Sequence, residues 1–167
     1  MTSLSVCQRV RINGVEGNRP LLWDDFTGKP DKNTSIFAYT YWKIEYKTKS
    51  VTYKDDTLVW DMEVWAELGK DSWVNKEKKT DTLLDHERGH FDIGKLCAME
   101  IEAKIKSTVL LKNNYQQIVS SIGKEMGDKY RNMERLYDKE TEHSRNRPEQ
   151  WKWNVFLKKE LDIISRK

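Results

Sequence analysis

Thr80-Asp81-Thr82-Leu83-Leu84-Asp85-His86-Glu87-Arg88-Gly89-His90-Phe91-Asp92-Ile93 opens the segment whose reading decides the fold of this chain. Thr80 and Asp81 are candidate N-caps, because a short side-chain oxygen can accept from the otherwise unpaired amides of a first helical turn. Behind them Leu83, Leu84, Phe91, Ile93, Leu96, Cys97, Ala98, Ile101 and Ile105 recur mostly at intervals of three and four, the spacing of one buried helical face. Asp81 and Asp85 fall where the helix dipole favours negative charge, Lys104 and Lys106 where it favours positive charge. The pattern predicts a helix over about 81–108.

Within that helix His86-Glu87-Arg88-Gly89-His90 follows the HExxH pattern of zinc hydrolases and holds two of the chain's three histidines. Residues four apart on a helix lie about 6 Å apart along the axis and about 40° apart around it, so both imidazoles leave one face and can share one ion. Glu87, turned by about 100° from His86, flanks that ion without having to bind it, which is where a general base belongs.

A zinc site needs at least three protein donors. The remaining histidine, His143, follows a second helical pattern through Ile118, Val119, Ile122, Met126, Met133, Leu136 and Tyr137, with Lys112-Asn113-Asn114 as the connection. In an antiparallel hairpin, at about 1.5 Å per residue, the mid-130s come level with His86 and His90. A bend over 141–147, ahead of Pro148, then carries His143 to the ion. The expected ligands are therefore His86, His90 and His143 around one Zn2+ per chain, with Glu134, Asp138, Glu140 and Glu142 as competing oxygen donors. A surface helix with solvated histidines and no metal is the plain alternative.

Upstream the periodicity changes from helical to two-residue. Ile36, Ala38, Thr40, Trp42, Ile44 and Tyr46 alternate with Phe37, Tyr39, Tyr41, Lys43, Glu45 and Lys47. Leu58, Trp60, Met62, Val64, Ala66 and Leu68 do the same after a turn over Lys54-Asp55-Asp56-Thr57. Trp42 and Trp60 share faces with apolar neighbours, which reads as core packing rather than a carbohydrate platform. Beyond Arg147-Pro148, the residues Trp151, Val155, Leu157, Leu161 and Ile164 predict a C-terminal helix. Sheet first and helices afterwards predicts an α+β fold, with an N-terminal antiparallel sheet packed on the HExxH helix, an antiparallel partner helix and the C-terminal helix. At 167 residues this is expected to be one domain over 1–167, β-rich over about 1–75 and helical over about 80–167.

Composition removes two partner classes. With 34% charged residues, a net charge of +3 and no polybasic run, nucleic acid is excluded. No apolar run approaches the length of a membrane span, and the N-terminus lacks the charged and apolar regions of a leader. Cys7 and Cys97 could pair in an oxidising compartment.

The stretch from Leu83 to Ile93 resembles a bacterial family described as predicted secreted zinc-dependent proteases, within the zincin superfamily. Trp23-Asp24-Asp25-Phe26-Thr27-Gly28, Ser72-Trp73-Val74, Tyr137-Asp138-Lys139-Glu140-Thr141-Glu142-His143 and Gln150-Trp151 follow that family's landmarks in order, over nearly the whole chain. The resemblance implies a zincin-like fold, the HExxH residues as ligands and base, and a segment around His143 belonging to the same signature. It also implies a secreted or periplasmic location, with a native leader missing and Met1 an artificial start.

The expected function is zinc-dependent hydrolysis of peptide bonds in a peptide or protein substrate, with zinc-activated water and Glu87 as general base. Tyr137 is the phenol best placed in sequence to stabilise an oxyanion. A strand ending near Ser72-Trp73 is a candidate to hold the peptide by strand addition. The rival is a non-catalytic binding or structural module in which the metal ties the helical hairpin to the sheet. A closed four-donor shell, with Asp138 or Glu142 joining all three histidines, would mark it.

Overall fold

The computed structural model describes residues 10–17 and 19–166, so the Cys7–Cys97 pairing lies outside the described residues; Cys97 itself is buried. The architecture is α+β. Among the described residues seven strands, β1 (Val10–Ile12), β2 (Val15–Glu16), β3 (Ala38–Tyr39), β4 (Trp42–Lys54), β5 (Thr57–Leu68), β6 (Trp73–Val74) and β7 (Leu110–Leu111), accompany three α-helices. These are α1 (Asp81–Ser107), α2 (Tyr115–Thr141) and α3 (Arg147–Ile164).

The main sheet runs β2-β1-β5-β4, with β7 added to the β1 edge of β5. Its β4/β5 hairpin turns at Asp55, whose positive φ of 55° suits a tight two-residue turn between paired Lys54 and Thr57. All pairs are antiparallel except β1 with β5, which is parallel. On β5 the face Leu58, Met62, Val64, Ala66 and Leu68 is buried, and Trp60 packs half-buried on the same core. The alternation read from the sequence is thus the inside-outside alternation of a one-sided sheet.

The expected strand from Ile36 onward is not continuous. Its first part is β3, which pairs with β6 in a separate two-stranded ribbon, and only from Trp42 does the chain join β5. The break has a local cause. Both backbone groups of Tyr41 are taken by the 69–72 turn: its N–H donates to Ser72 Oγ at 3.0 Å, and its carbonyl accepts from Gly69 N at 2.8 Å and from Ser72 Oγ at 3.1 Å. Buried Thr40 meanwhile turns inward onto α1. A Cβ on Gly69 would fall on the Tyr41 ring, so glycine is what lets this turn approach.

Helix α1 lies against the sheet on one side and against α2 and α3 on the other, which makes it the central element. Thr80 is its cap, accepting from Leu83 N at 3.1 Å. Leu83, Leu84, Phe91, Ile93, Leu96, Cys97, Ile101 and Ile105 form its buried face. At the contact with β4, a Cβ on Gly94 would come within 2.8 Å of the Trp42 ring, so the tryptophan seats directly on the helix backbone.

Helix α3 begins after Asn146, whose side chain accepts from Glu149 N, with Pro148 in the first turn where its missing N–H costs nothing. Its buried residues are Gln150, Trp153, Leu157 and Leu161, whereas Trp151 and Val155, expected on the inner face, are exposed. The rotation follows from the site, since Gln150 is completely buried against His86 on α1.

Candidate metal centre

His86 and His90 leave the same face of α1 toward α2, and both point Nε2 at one oxygen. His86 Nε2 lies 3.1 Å and His90 Nε2 3.0 Å from Asp138 Oδ1. In a tetrahedral zinc shell with metal–ligand distances of about 2.0–2.1 Å, neighbouring donors stand about 3.3 Å apart, so these separations fit two sides of such a shell. Among the described residues, His86, His90 and Asp138 form a group whose donor atoms all lie within 4.8 Å of one another. Two neutral imidazoles and a carboxylate suit zinc chemically.

Both rings meet an acceptor at Nδ1, which favours the tautomer a metal on Nε2 requires. Asp85 can only accept, so Asn154 must present Nδ2 to it at 2.8 Å and Oδ1 to Gln150. Gln150 Nε2 therefore donates to Asn154 Oδ1 at 2.8 Å and to Tyr137 Oη at 2.6 Å, which turns Gln150 Oε1 to His86 Nδ1 at 3.0 Å. An acceptor on Nδ1 keeps a proton there, so that Nε2 is the nitrogen His86 would offer a metal. His90 is fixed likewise by Glu134 Oε1, 3.3 Å from Nδ1, and Glu134 is itself anchored by Trp42 Nε1 at 2.7 Å. Such outer partners typically carry 10- to 100-fold in metal affinity. We expect Gln150→Leu to weaken zinc binding by about 10- to 100-fold with the fold intact, measured by competition with a chromophoric chelator. Unchanged affinity would remove Gln150 from this role.

The charges are strongly coupled. Burial alone would lower the His90 pKa, but hydrogen bonds to Asp138 and Glu134, with the nearby charge of Glu87, push it up to about 10. Burial acts on Asp138 in the opposite sense, yet the hydrogen bonds from His86 and His90 hold its carboxyl well below the usual carboxylate range. In the metal-free protein a proton on His90 thus occupies the lone pair a metal would use. Since the folded-state value is raised from 6.5, that proton is held from neutral pH up to about 10 and metal must displace it throughout this range. Zinc affinity should therefore rise about tenfold per pH unit between pH 7 and 9. An ordinary histidine site would be nearly flat there, and a flat profile by chelator competition would contradict the charged pair.

Glu87 is buried yet lines a cleft of about 640 Å³ that also reaches His86, His90, Asp138 and His143. Thr40 Oγ1 donates to Glu87 Oε2 at 2.6 Å and touches its carbonyl at 3.3 Å, and the second carboxylate oxygen has no side-chain partner among the described residues. One wall of the cleft is the segment 35–42, including β3; the other is α2 and the turn after it. The strand expected at Ser72-Trp73 is instead β6, which lies behind β3 and not on the cleft.

His143 arrives by an unusual turn. Glu142, His143 and Ser144 are all left-handed, with φ of 49°, 51° and 79°, a conformation that costs non-glycine residues about 1–2 kcal/mol each. Asn146 N bonding Thr141 O at 2.8 Å and His143 N bonding Asp138 O at 3.2 Å hold it. The His143 ring is half exposed and its Nδ1 lies 3.2 Å from Asp138 Oδ1, so all three histidines touch that one oxygen. His143 is nevertheless outside the mutually close group, and the carboxylate named as a competitor, Asp138, is inside it. Glu142 and Glu140 are not part of it; Glu140 accepts from Trp153 Nε1 at 2.8 Å.

Tyr137 differs from its expected part. One residue before Asp138 on α2, it points into α1 rather than the cleft: it is fully buried, stacks on His86 at 4.6 Å, and donates its hydroxyl proton to the His86 carbonyl at 2.9 Å. Burial pushes its phenol far above the ordinary value. It braces the ring of His86, with no group left for an oxyanion. Gly89, an undetermined position in HExxH, is glycine for the same reason, because a Cβ there would fall on the Tyr137 hydroxyl. Thr40, Asn154 and Asp85 complete the site without any separate signal in the sequence.

An α+β domain carrying HExxH on its central helix, with a carboxylate from the antiparallel neighbour, is the class that fold and site define. The chain belongs to the bacterial protein family of unknown function DUF922, whose model matches residues 24–144, from Asp24 through the turn that bears His143. No curated protein and no solved structure matches it. No helix among the described residues is long and apolar enough to cross a membrane.

Proposed function

We propose that this protein is a zinc metallopeptidase acting on extended peptides, with His86, His90 and Asp138 holding the ion and Glu87 as general base. The observation that carries the reading is the convergence of the His86 and His90 Nε2 atoms, each with an acceptor at Nδ1, on Asp138 Oδ1 in a cleft that Glu87 also lines. Zinc, when bound, supplies a Lewis acid that acidifies water and polarises the scissile carbonyl.

The protein's own groups account for the rest. Glu87, with Oε2 held by Thr40, keeps Oε1 available to take a proton from the attacking water and return it to the leaving amine. The peptide is held by β3. Phe37 O accepts from Asn75 N at 2.8 Å, so by the alternation of an antiparallel ladder the Phe37 and Tyr39 backbone groups face β6 and those of Ala38 face away. Ala38 is thus free to pair with a substrate strand on the cleft side, which favours unfolded or extended segments over folded protein. Secretion or a periplasmic location suits such a peptidase and is part of the same proposal.

A structural zinc site would close its shell with a fourth side chain and have no use for a buried carboxylate beside it. The buried, hydrogen-bonded Glu87 favours the enzyme. The direct test is cleavage of an unfolded protein substrate by zinc-loaded and chelator-stripped protein. Cleavage lost on stripping and restored by stoichiometric zinc is expected. Absence of cleavage in a fully loaded, folded sample across diverse peptides would sink the hydrolase.

A further inference from the structure

We propose that the cleft selects peptides with an acidic side chain one or two residues from the bond cut, bound by Arg135 and Arg145; this rests on the peptide-binding reading above. Three arginines, Arg131, Arg135 and Arg145, line the same cleft as the metal group. Arg131 is paired with Asp128 at 2.6 Å. The other two have no acidic partner among the described residues: Arg135 donates only to Asn132 Oδ1 at 2.9 Å, and Arg145 only to the Glu142 carbonyl at 3.0 Å.

The carboxylates nearby are already committed. Glu87 is held by Thr40, Glu134 by Trp42 and His90, and Asp138 by the histidines. Three arginines balance these three carboxylates, so a divalent ion held by neutral imidazoles makes the lining net positive by two charges. A carboxylate substrate group is the natural counterpart, since a guanidinium fork matches it in a bidentate pair.

Position narrows the choice. Arg131, Arg135 and Asp138 are spaced by four and three residues on α2 and so share one helical face. Arg135 lies about 4.5 Å along the axis from Asp138, and an extended peptide advances about 3.3 Å per residue. A carboxylate on Arg135 thus belongs to a residue one or two places from the scissile bond. Across the cleft, Phe37, Tyr39 and Tyr41 are exposed aromatics on the β3 side, suited to the apolar side chains of the same strand.

The test uses zinc-loaded Glu87→Gln protein, which keeps peptide uncut, and fluorescent peptides identical except for Glu or Gln beside the central bond. The Glu peptide should bind at least about tenfold more tightly by anisotropy, with the advantage shrinking as salt rises. Arg135→Gln with Arg145→Gln should abolish the advantage, the Glu peptide binding no more tightly than the Gln peptide, while zinc content stays unchanged. Equal binding of the two peptides, or a preference that survives the double substitution, overturns the proposal. Because the readout is binding, failure of wild-type protein to cleave would count against the peptidase and not against this selectivity.

Discussion

Glu87→Gln is expected to retain zinc and to lose peptide cleavage by a factor of about 10² to 10⁴, the usual worth of a positioned general base. The substitution is nearly isosteric, and a glutamine carbonyl can still accept from Thr40, so the buried contact at 2.6 Å survives. What disappears is the ability to hold a proton between water and leaving group. The pairing of measurements matters, because Glu87 lies outside the group of donors that could hold the ion among the described residues. Cleavage equal to wild type would remove Glu87 as base. Loss of zinc together with activity would show that its role is to hold the ion.

Asp138→Ala is expected to weaken zinc binding by far more than the 10- to 100-fold typical of an outer partner, whereas His143→Ala should stay within that range. Asp138 Oδ1 is the atom on which His86 and His90 converge, and its removal leaves two buried or nearly buried imidazoles with no third donor. His143 reaches only Asp138, at 3.2 Å, from a half-exposed ring on a left-handed turn. Its truncation to alanine keeps the left-handed backbone and removes one contact of a half-exposed ring, so the folded state should tolerate it. The reverse order of affinities, with His143 the costlier loss, would make the three histidines the ligand set and Asp138 their hydrogen-bond partner. Calorimetric titration of both variants separates the two.

The helices were legible because their signals are local. Thr80 as cap, the three-and-four spacing on α1 and the Asn146-Arg147-Pro148 start of α3 all act within a turn or two of chain. The β4/β5 hairpin was legible for the same reason. The split of β3 from β4 was not, since it depends on Tyr41 meeting Gly69 and Ser72 across 31 residues or fewer of intervening chain, contacts that no periodicity encodes. At the site, the helical rise already placed the mid-130s opposite His86 and His90, and Glu134 and Asp138 are what the structure puts there. Preferring His143 meant favouring residue type over register. The part of Tyr137 was not legible, because its place in sequence just before His143 does not show which way the ring points around the helix, and adjacent residues there differ by about 100°. Gln150 carried a signal only as a landmark of the family resemblance, and its purpose became visible once Asn154 and Asp85 fixed its orientation.

The most direct measurement is anomalous diffraction at the zinc edge from a crystal of the zinc-loaded protein. The account predicts one strong peak within coordination distance of His86 Nε2, His90 Nε2 and Asp138, with the remaining position open to the cleft beside Glu87. A peak whose fourth donor is His143 or another side chain, or no peak between these residues, would contradict it.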